Sequence, residues 1–253
     1  MKHPVEQALQ GLRRAGLRPS DRQVEDIRNA GPEAVPALLA LASDTTLLVG
    51  PEPAAFAPLH ALRLLAEQPE IDAATIEHLF VALPLPDPEP GAQAAFVWRQ
   101  DLPQILGRGG KVASDMAAAI LRNTAAAPDQ RAAAIETLVY ATAVDDGLRA
   151  DAIALLDEFL KVESDPYVAA FLVDGLADLG AANTYADVMT AYRRGVVDKT
   201  IVTAADARRR LLSRVPSAGL TCVSHTLDER YVQHGPFTEE QRRVMVDQYL
   251  GRR

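Results

Sequence analysis

Residues 165–180 read DPYVAAFLVDGLADLG, and their spacing decides the fold. Val168, Phe171, Leu172, Gly175, Leu176 and Leu179 recur at i, i+3, i+4 and i+7, the repeat of one helix face rather than the alternation of a strand. Asp165 supplies a cap, and Pro166 suits the first helical position because the N–H it lacks has no partner there. Gly180 stands where a left-handed residue closes a helix. The segment therefore predicts a bounded helix whose apolar stripe another element must cover.

The same pattern continues outward in both directions. Leu148, Ala152, Leu155, Leu156, Phe159 and Leu160 form a stripe, as do Tyr185, Val188, Met189 and Tyr192, and Ala134, Ile135, Leu138 and Ala141. No segment of comparable length alternates with period two, so no sheet is expected. Ser20 with Gln23, and Thr238 with Gln241, have capping-box spacing. Pro32, after Gly31, suits the first turn of PEAVPALLALA, and Gly195 follows the end of another stripe. Thr45–Pro53, Pro84–Gly91 and Arg214–Pro236 read as connections, and Met245, Val246, Tyr249 and Leu250 of a last short helix are expected to dock on the body.

Composition agrees. The chain is 48% hydrophobic but only 5% aromatic, and its apolar content is dominated by alanine and leucine, both strong helix formers. A net charge of −8 argues against nucleic acid as the main partner, since phosphate contacts require a basic footprint. The single cysteine, Cys222, cannot form an intrachain disulfide, and the N-terminus has no apolar core of a signal peptide. No apolar run reaches the ~18–20 residues of a membrane span. These features predict a cytoplasmic protein that does not enter a membrane.

A weak repeat links the helices. Residues 62–80 (LRLLAEQPEIDAATIEHLF), 102–121 (LPQILGRGGKVASDMAAAIL) and 174–192 (DGLADLGAANTYADVMTAY) each pair a leucine-rich helix end with a short turn and a second apolar helix. Their irregular spacing is compatible with the ~40-residue period of two-helix repeats, whose units bury their apolar faces only by stacking. On PEAVPALLALA, APLHALRLLAE, DLPQILGRGG and FLVDGLADLG, the stretch 30–212 resembles HEAT-like repeat proteins, and is similar to bacterial HEAT-like proteins of unassigned function.

The resemblance implies an all-α, right-handed solenoid of stacked antiparallel helix pairs. Capping helices would occupy 1–30, the repeats 31–213, and a loop with a capping helix 214–253. It implies a non-enzymatic scaffold that binds a protein on its concave face without a cofactor. The alternative is an enzyme similar to the HEAT-like DNA glycosylases that cleave alkylated bases, with Trp98, Asp101 and arginines converging on DNA.

Candidate contact residues follow from helix angles. In FAPLHALRLLAE (56–67), Leu59, Leu62, Leu65 and Ala66 lie to one side, and Phe56, His60, Arg63 and Glu67 to the other. The second set reads either as a partner-binding ridge or as an ordinary solvent or inter-repeat face, with His60 bonded to a backbone carbonyl of the next turn. Trp98 and Arg99 form a second candidate contact, because interfaces favour both types; Trp98 packed under the proline-rich connection is the alternative. Asp101 has cap spacing to Gln104 just before Pro103; if the helix runs on, Pro103 should kink it.

Arg208 shares its side with Ala204, Leu211, Leu212 and Val215 and is expected to pair with Asp174 or Asp178. Cys222, His225 and His234 could ligate zinc, but three ligands at this spacing match no strong motif, so no metal is assigned. No nucleophile elbow, zincin or phosphate-loop signature occurs, and no catalytic residue is assigned.

Overall fold

Polar caps set where the chain turns helical. Side-chain oxygens of Asp44, Asp72, Asp165, Thr203 and Thr226 accept backbone N–H groups of the turn that follows each of them. Ser20 and Gln23 bond reciprocally, as do Thr238 and Gln241, which completes both expected capping boxes.

The computed structural model describes residues 4–68, 71–86 and 92–250. Among these there are fifteen α-helices and no strand. In chain order they are α1 (Pro4–Leu12), α2 (Asp21–Ala30), α3 (Val35–Ala42), α4 (Thr45–Leu48), α5 (Phe56–Leu65), α6 (Ala73–Val81), α7 (Gln93–Gly107), α8 (Gly110–Arg122), α9 (Pro128–Val144), α10 (Arg149–Val162), α11 (Pro166–Asp178), α12 (Tyr185–Arg194), α13 (Ala204–Ser213), α14 (Leu227–Gln233) and α15 (Glu239–Leu250). None of them is long and apolar enough to cross a membrane. Of the three similar stretches, 102–121 and 174–192 span the α7/α8 and α11/α12 junctions, while 62–80 runs from α5 to α6 through residues 69 and 70, which lie outside the described residues.

Two compact units emerge, each assembled from separated stretches rather than from the consecutive segments 1–30, 31–213 and 214–253. The first comprises Met1–Gln68, Pro86–Asp101 and Thr226–Arg253; the second comprises Pro69–Leu85 and Leu102–His225.

In the second unit α9 packs on α8, α10 and α11, while α11 packs on α10 and α13, α10 on α12, and α6 on α8. The stripe of residues 165–180 is inside this stack, with Val168, Leu172 and Leu176 fully buried. Gly175 belongs to that stripe for a steric reason: a Cβ there would lie 3.0 Å from the Val139 side chain and 3.3 Å from that of Ile135, so glycine lets α11 approach α9. Gly180 adopts φ +63, and a Cβ there would also lie 2.8 Å from the Val215 backbone.

The ion pair that ties α13 to α11 is made by Arg210, not Arg208. Its guanidinium bonds Asp174, and it reaches Asp178 at 2.8 Å, whereas Arg208 is exposed. Arg208 and Arg210 flank the buried residues Ala207 and Leu211 on opposite sides, and α11 lies on the Arg210 side. Periodicity defines the flanks but cannot choose between them.

In the first unit α5 is enclosed by α1, α3, α4 and α14. The expected connection Thr45–Pro53 contains α4, and Arg214–Pro236 contains a 3-10 turn and α14. Part of the proline-rich connection, 87–91, lies outside the described residues. The docking of the last helix is not found at Met245, which is 42% exposed; the side chains of Val246, Tyr249 and Leu250 lie outside the described residues.

Candidate functional site

The histidine and arginine of FAPLHALRLLAE are interior residues. All ten residues of α5 are buried, with His60 and Arg63 at 0% exposure and Phe56 at 1%. The expected partner-binding ridge of Phe56, His60 and Arg63 is therefore corrected, because a helix covered on every side has no outer face. His60 does bond a backbone carbonyl, but that of Gly16, distant in sequence, rather than one in the next turn.

The carbonyl fixes the imidazole tautomer. His60 Nε2 donates to Gly16 O at 2.9 Å, which leaves Nδ1 to accept the Tyr231 hydroxyl at 2.6 Å. Three positions along α5, Arg63 Nε donates to Asp101 Oδ2 at 2.6 Å and Nη1 donates to Gly235 O at 2.6 Å. Its guanidinium also lies 4.4 Å from the centre of the Tyr231 ring, while Nη2 is buried with no hydrogen-bond partner among the described residues.

Asp101 stands inside α7, not at its start, so the cap reading is corrected as well; the helix runs through Pro103. It is fully buried, accepts from His234 Nδ1 at 2.7 Å, and has Arg230 Nη1 at 3.8 Å. His234 is thus held by a carboxylate, and among the described residues no group of three or more His, Cys, Asp or Glu gathers as a metal site. Trp98 is also buried and donates through Nε1 to Ala42 O at 2.9 Å. It cannot form a surface contact, and its neighbour Arg99 is half-buried. The exposed aromatic on α7 is Phe96, at 70%.

These contacts join α5, α7 and α14 in a closed polar clasp. Neither Asp101 nor His60 presents any surface to solvent, and the cluster holds the three elements together. Tyr231, Arg230, Gly235 and Gly16 were not legible as members. One signal was present: Thr226 and Glu229 have capping-box spacing, which marks the start of α14 and sets Tyr231 and His234 one turn apart.

The electrostatics give a pH dependence with a definite sign. Burial, reinforced by the Arg63 charge and opposed by the Gly16 hydrogen bond, lowers the His60 imidazole from 6.5 to about 4. The unfolded chain therefore takes up the proton first. The stability that the neutral ring contributes is complete above about pH 6.5 and is lost as pH falls towards 4, by roughly 3 kcal/mol. For Asp101, burial would raise the carboxyl, but the His234 hydrogen bond and the Arg63 and Arg230 charges outweigh it and hold it below 3.8. Its contribution is lost only in still more acidic solution. Urea midpoints measured across pH 7 to 4 should fall for the wild type and stay flatter for His60→Gln.

The second unit offers a surface groove of ≈ 350 Å³ between α8 and α10. Its floor includes Ala118, Leu138 and Leu155, and its rim Lys111, Asp151 and Glu158.

Among known families, the one described as protein of unknown function, DUF1186, matches residues 21–220. No curated protein and no solved structure matches the chain.

Proposed function

The chain belongs to the DUF1186 family, and we propose that it is a non-enzymatic, HEAT-like helix-pair scaffold that binds a protein partner through the α8–α10 groove. Support for the stacked arrangement comes from the second unit, where α9, α11 and α13 pack in succession and α10 packs on α12, so helices two apart in the chain are neighbours. The observation that carries the binding role is the groove itself, an apolar floor between rims of both charge signs. Such a surface selects a segment with apolar anchors and matching charges, and rigid helices limit the ordering entropy lost on association. Its setting is the reducing cytoplasm, on the strength of the lone cysteine.

The DNA-glycosylase alternative needs Trp98 and Asp101 to meet a base, and both have 0% exposure. The test is affinity capture from the source cell, with the wild type and with a Lys111→Glu, Asp151→Lys, Glu158→Lys variant that keeps the wild-type thermal midpoint. Selective loss of one partner in the variant supports the reading. Equal recovery with both baits, or retention of duplex DNA at low salt with base release, refutes it.

A further inference from the structure

Helix α15 has an ordered start, and its described side chains, up to Met245, are not packed on the body. Thr238 and Gln241 bond each other reciprocally, at 2.8 and 3.2 Å, which fixes the first turn. Yet every residue from Thr238 to Met245 is exposed, including Val244 at 46% and Met245 at 42%. Eight consecutive residues pass all the way round a helix, so no side of these two turns rests on the body. A helix of 12 residues is marginal in water on its own, and apolar residues on it call for a cover.

The same unit holds a complementary receptor. Between α1 and α2 lies a groove of ≈ 660 Å³, with Val5 and Ala8 on its floor and Asp26 and Glu33 among its lining residues. Asp26 lies on α2, and Glu33 in the 3-10 turn Gly31–Ala34 that follows it. Neither carboxylate takes part in an ion pair among the described residues, and neither do Arg242 and Arg243 of α15. Two unpaired acids beside a small apolar floor thus match two unpaired bases followed by Val244 and Met245.

We propose that α15 seats in the α1–α2 groove of a second copy of the chain, with Val244 and Met245 over Val5 and Ala8 and the two arginines towards Asp26 and Glu33. Because each copy carries both parts, reciprocal exchange closes a two-fold dimer and leaves neither helix uncovered. This does not depend on the α8–α10 groove or on any partner bound there.

Light scattering on the eluting protein over a range of concentrations tests it, using four chains. The wild type should run as a dimer that weakens in high salt. Met245→Asp, an exposed change that leaves helical circular dichroism intact, should run as a monomer. Arg242→Glu/Arg243→Glu and Asp26→Arg/Glu33→Arg should each dimerise at least about tenfold more weakly. Mixed together, these last two chains offer complementary charges at both contacts and should form a heterodimer. A wild type that is monomeric throughout, a dimer indifferent to Met245→Asp, or a mixture that fails to re-form a dimer would each overturn the proposal.

Discussion

Replacing Asp101 with alanine should cost about 3–5 kcal/mol of folding stability, measured by urea denaturation at neutral pH. The carboxylate is fully buried, accepts from Arg63 and His234, and stands 3.8 Å from Arg230. Alanine would leave the Arg63 guanidinium, itself at 0% exposure, with the Gly235 carbonyl and the Tyr231 ring but no counter-charge. Asp101→Asn keeps the shape without the charge and should lose most of the same energy. In the double variant Arg63→Met/Asp101→Leu both charges disappear together, so the loss should fall well short of the sum of the single losses, with a coupling of about 1.5 kcal/mol or more. Additive losses would mean that the clasp is not electrostatically linked.

Trp98→Ala should cost a similar ~3–5 kcal/mol, here through the cavity left by the largest fully buried side chain. Trp98→Phe separates packing from hydrogen bonding. Most of the apolar area remains, but the Ala42 carbonyl loses the indole donor at 2.9 Å, so a loss of ~1–3 kcal/mol is expected. Helical circular dichroism reports both variants. The wild type has a further readout, because its single tryptophan should emit at short wavelength when folded and shift to the red on unfolding. A wild-type emission already at the solvent-exposed position would contradict the burial of Trp98.

Those two residues also show where sequence reading stops. Trp98 and Arg99 read as a contact pair from their residue types, and Asp101 as a helix cap from its spacing to Gln104, and neither reading takes account of distant residues. The partners that decide their roles are 56 residues away for Trp98 and 133 for the Asp101–His234 bond. His60 failed for a related reason. Angular periodicity sorts a helix into two faces, but a helix covered on both is sorted correctly and still misread.

What the amino-acid sequence determined by itself is the local architecture. Helix faces, caps and stops follow from interactions spanning three or four residues, and the caps at Ser20, Asp165 and Thr238 and the left-handed Gly195 stand where the spacing put them. Tertiary structure alone decided which flank of α13 meets α11, that α5 is enclosed, and that Asp101, Arg63, Tyr231 and His234 share one interior. Those outcomes depend on which elements pack together, and a buried charge can be identified only by the distant group that neutralises it.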